Sequence, residues 1–434
     1  MHDPSASTDS TALPTHAEVL VVGAGPAGSA CAQWLAAQGV DVVLADQHAF
    51  PRDKVCGDGL IPDALAALKR LGHFDEVMSQ AQAVRHVRCI GTRGGYVDVP
   101  GTMAVLPRRQ LDHILYRGAL RAGARPLVPA RFEAPIVDGE QVVGARFKCG
   151  DKRGDAMHEV HAPWVVMATG AVPQAMLAAG LCVRHTPSGV AIRGYVKNQA
   201  MVGRIDKLEI VWHRALTPGY GWIFPCRDGI FNIGVGVADS HGRERDGKLG
   251  MREVNLRQVF DEFKRVYAPA RDLMAGGTLL GALKGAPLRC TLEGARFTRP
   301  GLLVTGEAAG STYSFSGEGI GKAMETGIGA AEAVLAGGRR AGADAGADAG
   351  ADTAADAAVR ADYEARLVAL KPRFDLYERA NSVNRHPWLA DLLIWRAKKN
   401  PGIVRRMSGV LNETSNPGNL VSFKGFRRLF LDRG

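Results

Sequence analysis

The feature that most constrains this chain is a glycine-rich turn that joins an apolar strand to a helix near the N-terminus. The strand covers residues 18–22, the turn reads Gly23-Ala-Gly-Pro-Ala-Gly28, and an alanine-rich helix follows to about Gln38. Residues 40–45 form a second apolar strand, which completes a βαβ unit of about the expected length. Because such a unit sets two parallel strands beside each other, the sequence predicts an α/β fold with a Rossmann-like domain.

Each glycine of this turn has its own role in a dinucleotide site. Gly23 makes the tight turn, Gly25 lets a pyrophosphate approach the backbone, and Gly28 lets the helix pack closely on the strand. The helix N-terminus offers N–H groups to the phosphates. Asp46 follows the second strand, 23 positions after Gly23, near the ~20-residue spacing for a carboxylate that binds ribose hydroxyls. The pattern predicts a dinucleotide site; the alternative is a plain glycine-rich turn.

The composition is that of a globular protein with its positive charge at one end. Of the 434 residues, 46% are hydrophobic and 23% charged, which excludes a disordered or fibrous chain. The net charge is +10, and the stretch from Arg385 to the C-terminus holds ten Lys or Arg against three Asp or Glu, a net of +7. Since the charge is concentrated in the tail and no base-reading motif occurs, we do not expect nucleic acid as a partner.

The cysteine and histidine patterns favour neither a disulfide framework nor a metal site. The seven cysteines are odd in number and none stands in Cys-x-x-Cys, so reduced thiols and a cytoplasmic location are expected. The histidines form no His-x-x-x-His cluster. Neither a signal-peptide core nor an apolar run of about 18 residues occurs, so we expect no membrane-spanning segment.

Glycine, proline and charge patterns divide the chain into segments. Residues 341–352 repeat Ala-Gly-Ala-Asp and have no large apolar side chain with which to bury a core. The predicted organisation is a disordered leader at 1–16, a discontinuous cofactor-binding domain at 17–180 and 285–340, a substrate-binding α+β domain with an antiparallel sheet at 181–284, a flexible low-complexity insert at 341–358, and a helical, basic C-terminal region at 359–434.

A second glycine cluster extends the first. Thr305-Gly-Glu-Ala-Ala-Gly310 follows a short strand, and Phe315-Ser-Gly-Glu-Gly-Ile320 opens a helix. With the N-terminal turn, this pairing resembles the FAD-binding group of aromatic hydroxylases, flavin halogenases and geranylgeranyl reductases. The resemblance implies that the first cluster holds the ADP half of FAD, and the second the ribityl chain and pyrophosphate. The later helix then points at the flavin pyrimidine ring. Glu307 stands where that group usually has Asp.

Further motifs resemble the geranylgeranyl reductase family within this group. The segment Phe50-Pro-Arg-Asp-Lys-Val-Cys-Gly-Asp-Gly59 is similar to the family's Lys-x-Cys-Gly-Gly/Asp segment. Tyr220-Gly-Trp-Ile-Phe-Pro225, eight residues and Gly234-Val-Gly236 match its Tyr-x-Trp-x-Phe-Pro…Gly-x-Gly signature. Arg108, with Leu111 and Asp112, looks like its Arg-x-x-Phe/Leu-Asp helix start. The resemblance covers residues 17 to about 340.

The resemblance assigns site residues one by one. Catalytic roles fall on Cys56, Tyr220 and Trp222, with Cys56 and Tyr220 as candidate proton donors. The substrate wall comprises Tyr220, Trp222, Phe224 and Pro225. The cofactor-binding residues are Gly23, Gly25, Pro26, Ala27, Gly28, Asp46, Gln47, Lys54, Cys56, Gly57, Arg108, Gly306, Glu307, Ala308, Gly310, Gly317, Gly319 and Ile320.

Several of these residues have structural alternatives. Cys56 could be a small core thiol, the usual fate of a free cysteine. Tyr220, Trp222 and Phe224 alternate, so they project from one face of a strand, and core packing explains that face as well as a substrate wall does. The alternative for Glu318 is charge balance at a helix start.

The family resemblance implies hydride transfer from reduced FAD to an alkene, followed by protonation of the neighbouring carbon. The expected substrate is a long apolar, isoprenoid-like molecule, and NADPH or a redox partner protein is the expected reductant. A monooxygenase or halogenase is the first alternative. Halogenases, however, carry Trp-x-Trp-x-Ile-Pro, where this chain has Tyr220 and Phe224. A non-catalytic flavin- or lipid-binding protein is the second alternative.

The basic tail predicts peripheral attachment to the inner face of the membrane. Apolar residues and cations are interspersed over 392–430, a pattern that can lie in the interface of an anionic bilayer. The alternative is a helix packed on the body with its charges in solvent. The residues concerned are Leu392, Leu393, Ile394, Trp395, Leu429 and Phe430, with Arg396, Lys398, Lys399, Arg405, Arg406, Arg427 and Arg428.

Overall fold

The computed structural model describes residues 13–150, 156–239, 241–242, 251, 253–337 and 349–415, with side chains from residue 353 onward in the last range. Residues 1–12 of the predicted leader lie outside these ranges. Residues 13–16 are ordered along a small sheet, because His16 forms a bridge with His161 and the carbonyl oxygen of Pro14 lies 2.8 Å from His158 Nε2. The prediction of disorder is therefore wrong for these four residues.

Eighteen strands and twelve α-helices occur in the described residues. The strands are β1 (Val19–Val22), β2 (Val42–Ala45), β3 (Gly59–Leu60), β4 (Gln82–Ile90), β5 (Tyr96–Val105), β6 (Arg125–Leu127), β7 (Ala130–Asp138), β8 (Gln141–Cys149), β9 (Ala156–His161), β10 (Trp164–Met167), β11 (Gly189–Lys197), β12 (Leu208–Val211), β13 (Gly219–Pro225), β14 (Ile230–Ala238), β15 (Thr278–Leu279), β16 (Lys284–Leu288), β17 (Thr298–Arg299) and β18 (Leu302–Val304). The helices are α1 (Pro26–Ala36), α2 (Pro62–Arg70), α3 (Phe74–Gln80), α4 (Arg108–Arg121), α5 (Gln174–Ala178), α6 (Leu256–Val266), α7 (Ala268–Ala275), α8 (Ile320–Ala336), α9 (Ala349–Ala380), α10 (Ser382–Arg385), α11 (Trp388–Lys399) and α12 (Pro401–Leu411).

A six-stranded sheet in the order β17-β18-β10-β1-β2-β6 forms the centre of the cofactor half. All its pairs are parallel except β17 with β18. β1 is apolar throughout because both of its faces are buried. Val19 and Val21 pack in the same core as α1 and α8, whereas Leu20 and Val22 pack against the small β7-β8-β9 sheet. The predicted α/β fold is confirmed.

A nine-stranded sheet faces the cofactor half. Its main path is β15-β11-β14-β13-β12-β4-β5-β3, and β16 pairs with β11. One face is covered by α6 and α7, with Phe263 packed among Ile223, Ile233 and their neighbours. The sheet takes β3, β4 and β5 from residues 59–105, which the sequence patterns assigned to the cofactor-binding domain. Local patterns cannot reveal such a pairing, because β4 and β12 are parallel neighbours separated by more than a hundred residues.

The C-terminal helices complete both halves of the molecule. α9 begins at Ala349, so residues 349–358 of the predicted insert 341–358 are helical; the remainder, 341–348, lies outside the described residues. Tyr363 of α9 is buried in the core of the parallel sheet and donates a hydrogen bond to the carbonyl oxygen of Val304 at 2.7 Å. α11 and α12 pack instead on β4 and β5.

A buried cluster of charges ties α8 to the end of the described chain. The ammonium of Lys322 is 2.9 Å from Glu413, 2.7 Å from Glu325 and 3.8 Å from Asp63, and its side chain is almost fully buried. Tyr313 donates a second hydrogen bond to Glu413, at 2.8 Å. Removing one partner of such a buried group leaves an uncompensated charge, which is strongly destabilising.

Asp63 of this cluster and the neighbouring Glu318 are held partly in their neutral forms. Burial, reinforced by the neighbouring Asp63, raises the pKa of Glu318 to about 8. Burial also raises the pKa of Asp63 to about 7, against the lowering effect of Lys322. A carboxyl group whose pKa is raised by folding stabilises the native state at low pH and loses that contribution as the pH rises toward its native pKa.

We therefore expect Glu318→Gln to flatten the pH dependence of stability. The folded pKa of Glu318 is about 8 and its ordinary value is 4.5. The melting temperature of the wild-type protein should therefore fall as the pH rises from about 5 to 8. The amide variant should melt close to wild type at pH 5 and above it at pH 8. Differential scanning fluorimetry measures the difference, with Glu140→Gln, an exposed turn residue, as the control. Parallel curves for wild type and Glu318→Gln would contradict the shifted ionisation.

Candidate active site

A continuous cavity of about 720 Å³ joins the two halves of the molecule. It begins where the carboxyl ends of three parallel strands meet, since β1 leads into Gly23, β2 into Asp46 and β10 into Ala168. It continues between the nine-stranded sheet and the C-terminal helices. Open α/β sheets bind ligands at this edge because strand ends and helix N-termini converge there.

The glycine turn has the geometry that its sequence predicts. Gly23 has φ +102°, and a Cβ there would lie 2.4 Å from the carbonyl oxygen of Ala168. A Cβ on Gly28 would lie 1.7 Å from the carbonyl oxygen of Gly23, so helix and strand pack through bare backbone. Gly25 is different, because its nearest neighbour would be the Arg52 guanidinium at 3.5 Å. Gly25 therefore opens on the cavity and leaves room for a ligand beside the N-terminus of α1.

Asp46 presents an ionised carboxylate beside this turn. It accepts hydrogen bonds from the backbone N–H groups of Ala24 at 2.8 Å and His48 at 2.9 Å. Burial opposes its ionisation, but the hydrogen bonds from His48 and the charge of Arg52 outweigh burial, so the pKa of Asp46 lies below its ordinary value. Gln47 lines the cavity next to it. The pair is placed to bind hydroxyl groups of a sugar.

The second glycine cluster divides into packing residues and a cavity residue. Gly306 (φ +64°) approaches Ala27 so closely that a Cβ would lie 2.6 Å from that methyl group, and Ala308 is fully buried. Gly310 (φ +84°) ends a short 3-10 turn. Glu307 is the member that lines the cavity, with a carboxylate oxygen 3.9 Å from the Lys54 ammonium.

A second helix N-terminus points at the cavity. Gly317, Gly319 and Ile320 line it at the start of α8, and no side chain caps this helix or α1. The first N–H groups of a helix have no intrahelical partner, so both helix starts offer donors to an anionic or carbonyl group. Thr169 also lines the cavity, and its buried hydroxyl has no partner among the described residues. These groups fit a long dinucleotide such as FAD.

A buried ion cluster supports the middle of the cavity. Arg108 holds Asp112 through two hydrogen bonds of 2.6 and 2.8 Å, and Arg52 reaches the same carboxylate at 3.0 Å. Asp112 is fully buried between them. The sequence patterns identified Arg108 but gave no role to Arg52, although it lies in the quoted segment 50–59.

Cys56 lies in the cavity on a tightly bonded loop. The backbone N–H of Asp58 points at its sulfur at 3.4 Å. Burial raises the pKa of the Cys56 thiol despite the nearby Arg108 guanidinium, so the thiol carries its proton at neutral pH. A protonated thiol beside a cation and an N–H donor can release a proton, because both groups stabilise the resulting thiolate.

Asp58 anchors this loop and was missed by the sequence patterns. It is fully buried, adopts φ +66°, and accepts hydrogen bonds from the Tyr195 hydroxyl and the Asn232 amide. Burial raises the pKa of Asp58 to about 6. The position of Asp58 between Gly57 and Gly59 could have indicated a functional residue. Nothing in the sequence around Tyr195 indicates that it bonds to Asp58.

The three alternating aromatic residues of β13 all face the cavity, as their spacing predicts. Tyr220, Trp222 and Phe224 line it, and Ile223 lies in the core on the opposite face of the sheet. The polar hydrogens of Tyr220 and Trp222 both form hydrogen bonds. The Tyr220 hydroxyl donates to the carbonyl oxygen of Ser316, and the Trp222 indole donates to Asn232 at 2.9 Å. Pro225, also predicted for the substrate wall, pairs with Phe231 of β14 and is not among the residues that line the cavity.

The far arm of the cavity is apolar. It lies between β4, β5 and β12 on one side and α11 and α12 on the other. The sequence predicted a long apolar substrate but not that these elements would enclose it. The side chains that line it are Val87, Cys89, Val99, Leu208, Ile210, Trp212, Phe315, Leu393, Ile394, Met407, Val410 and Leu411. We name this region the apolar arm. Its apolar lining suits a hydrocarbon chain.

The apolar arm corrects one sequence expectation. Leu393 and Ile394 were assigned to a membrane-facing side of the tail, but both are buried against β4 and β5. Leu429, Phe430, Arg427 and Arg428 lie outside the described residues.

No group of three or more metal-ligating side chains occurs in the part of the chain that is described.

Similar sequences carry reductase names. An FAD binding domain model matches residues 16–227. A menaquinone reductase of Mycolicibacterium smegmatis is 34% identical over 75% of this chain and 78% of its own length. A digeranylgeranylglycerophospholipid reductase of Methanopyrus kandleri is 29% identical over 71% of this chain and 77% of its own length.

Solved structures share the fold. A geranylgeranyl bacteriochlorophyll reductase-like protein of Thermoplasma acidophilum aligns with a TM-score of 0.67 at 20% identity and covers 96% of both chains. A flavin-dependent brominase aligns with a TM-score of 0.70 at 19% identity over 95% of this chain and all of its own. Fold alone does not separate these activities, whereas the sequence relatives do. The chain belongs to the geranylgeranyl reductase family of FAD-dependent oxidoreductases.

Proposed function

We propose that this protein reduces a carbon–carbon double bond in the isoprenoid chain of a quinone. The observation that carries the proposal is the apolar arm, which opens from the cofactor part of the cavity at Cys56 and Tyr220. A polyprenyl chain matches its apolar lining. The relatives named menaquinone reductase support a quinone as the carrier of the chain, ahead of a glycerophospholipid, because their sequences are more similar to this one.

The residues of the cofactor part have separate proposed roles. Gly25 and the N-terminus of α1 receive the pyrophosphate, Asp46 binds the adenosine ribose, and the N-terminus of α8 faces the flavin ring. Lys54 and Glu307 lie between these ends. Reduced FAD supplies the hydride for the double bond. We propose NADPH or a redox partner protein as the donor that renews it.

Cys56 is the proposed proton donor. Its thiol is protonated at neutral pH, and it lies in the cavity between the cofactor part and the aromatic residues. Tyr220 and Trp222 fit this role less well, because their polar hydrogens are committed to Ser316 and Asn232. The proton passes from Sγ to the carbon next to the one that receives the hydride. Arg108 and the Asp58 N–H stabilise the thiolate left behind, which regains its proton from solvent.

Oxygen chemistry is the second candidate, because a brominase shares the fold. The side chains favour reduction: a thiol stands in the cavity, and the halogenase tryptophan and isoleucine are replaced by Tyr220 and Phe224. Product formation that requires chloride or bromide would support this candidate.

The C-terminal helices also suit attachment to an anionic membrane. No helix in the described ranges is long and apolar enough to cross a bilayer. Trp388 and Trp395 are exposed at 59% and 45%, and exposed lysines follow on α11 at positions 398 and 399. Tryptophan and lysine side chains prefer the headgroup region. The opposite side of α11 lines the apolar arm, so a docked surface would place the arm next to the lipid that supplies its substrate.

Gly25→Val should yield folded but colourless protein. A Cβ at position 25 has only the Arg52 guanidinium within 4 Å, and Gly25 lines the cavity, so the larger side chain should block the pyrophosphate without disturbing the core. Flavin absorbance per protein and circular dichroism measure the two effects. Gly95→Val, outside the cavity, is the control and should stay yellow. A fully yellow Gly25→Val protein would count against FAD at this turn.

The reaction itself can be tested by single turnover. After anaerobic photoreduction, addition of an isoprenoid quinone should reoxidise the flavin and give a product with one double bond fewer by mass. Cys56→Ala should keep its FAD but slow the step by about 10²–10⁴-fold, the usual contribution of a general acid. Cys149→Ala, a thiol on β8 away from the cavity, is the control. An unreactive wild-type flavin would overturn the proposed substrate, and an undiminished Cys56→Ala rate would overturn the donor.

Membrane attachment predicts salt-sensitive binding to vesicles. The full-length protein should sediment with vesicles that contain anionic lipid at low salt and be released as salt shortens the screening length to about 8–10 Å. Trp388→Ala with Trp395→Ala should weaken binding, as should Arg405→Gln with Arg406→Gln. Arg109→Gln with Arg117→Gln removes as much charge from exposed positions on α4 and serves as the control. Protein that stays in the supernatant at low salt would refute the attachment.

A further inference from the structure

The two motifs that resemble the family meet at a single buried side chain. Asn232 lies on β14 opposite Phe224 and is fully inaccessible to solvent. Its amide accepts a hydrogen bond from the Trp222 indole at 2.9 Å. It donates one to the carbonyl oxygen of Cys56 at 2.8 Å and another to Asp58 Oδ2 at 2.7 Å. The aromatic strand and the Cys56 loop are thus joined through one amide.

The orientation of this amide is fixed by its partners. An indole N–H can only donate, so the amide oxygen must face Trp222. Both amide hydrogens then point at acceptors, a carbonyl and a carboxylate, and both are used. Aspartate at this position would keep the acceptor but lose both donors, and leucine would lose all three bonds at a similar volume.

Close packing adds a second link between the same elements. A Cβ on Gly57 would lie 3.2 Å from the Phe224 ring and 3.5 Å from the Trp222 indole nitrogen, and a Cβ on Gly59 would lie 3.3 Å from Phe224. The loop therefore lies flat on the aromatic side chains, and Asn232 ties it there from behind.

The charges that face this contact come from several elements. Tyr195 of β11 donates to Asp58, and the Arg193 guanidinium stacks on Tyr195 at 4.2 Å and pairs with Asp53. Arg108 of α4 donates its backbone N–H to Asp58 at 3.3 Å. The charge of Asp58 contributes to raising the pKa of the Cys56 and Cys226 thiols.

We propose that Asn232 is a positioning residue that holds the Cys56 thiol in register with the aromatic wall formed by Tyr220, Trp222 and Phe224. The contacts of Asn232 do not depend on any substrate. The inference rests on the proposed reductase function only in assuming that the position of the thiol matters for protonating the double bond. Loss of the amide donors would free the 56–59 loop from the strand and move the thiol relative to the double bond. Turnover would then fall while binding in the apolar arm persists.

The experiment measures Cys56 directly. Alkylation of Cys56 by iodoacetamide is followed by peptide mass mapping in Asn232→Asp, Asn232→Leu and wild type, with and without FAD, between pH 5.5 and 8. We expect both variants to react roughly tenfold faster than wild type at pH 8, because the loop has lost its donors. At pH 5.5 the introduced carboxyl and Asp58 can share a proton, so the ratio for Asn232→Asp should return toward one, while that for Asn232→Leu should not.

Two controls separate positioning from general stability. Asn400→Asp makes the same chemical change at a helix N-cap, where aspartate also serves, and should match wild type. Trp222→Phe removes the bond on the other side of the amide and should raise Cys56 reactivity less than Asn232→Leu does. A lowered melting temperature with unchanged Cys56 alkylation and an unchanged kcat would overturn the proposal. A kcat that falls more than KM rises, with the expected alkylation pattern, would support it. The expected alkylation in a protein without isoprenoid reduction would refute the proposed function and leave the positioning role in place.

Discussion

The contact between the bare backbones of Gly23 and Gly28 is the constraint on which the rest of the molecule depends. A methyl group at position 28 has no room there, so α1 lies directly against the end of β1. This contact brings the helix N-terminus to the edge of the sheet where Asp46 and Thr169 also emerge. The same closeness recurs where Gly306 meets Ala27, which fixes the second glycine cluster beside the first. Close packing at these glycines therefore shapes the cofactor part of the cavity, together with the side-chain bonds of Asp46 and Asp112.

The apolar arm has a different origin, because it depends on elements far apart in the sequence. Its floor comes from β4, β5 and β12, and its roof from α11 and α12. Charged groups tie the roof to the cofactor half through Glu413 and Lys322. The polar network around Asp58 lies at the junction, where the aromatic strand and the Cys56 loop come together. The molecule thus combines a rigid site for the cofactor with a separately built apolar compartment.

The sequence predicted the elements whose signals are local. The βαβ unit, the roles of Gly23, Gly25 and Gly28, and the inward alternation of β13 follow from spacing and backbone sterics. It did not predict contacts that depend on distant pairing, such as β4 with β12, or Asn232 with Cys56. The side chains of Leu393 and Ile394 were assigned to the wrong side for a physical reason. A helix with apolar and basic residues has the same sequence pattern whether its apolar side packs on lipid or on protein, and these two residues pack on protein.

The position of the roof at the end of the chain has a consequence for biosynthesis. The strands that form the floor of the arm are complete long before α11 and α12 leave the ribosome. Until α11 and α12 pack on them, Val87, Val99 and Ile210 are exposed to solvent and form an apolar surface that favours aggregation. A nascent chain that stops before Trp388 would keep that face exposed, and truncated forms should aggregate or bind chaperones even where the glycine turns are intact. α11 and α12 therefore cover the apolar arm only once the chain has been made as far as Leu411.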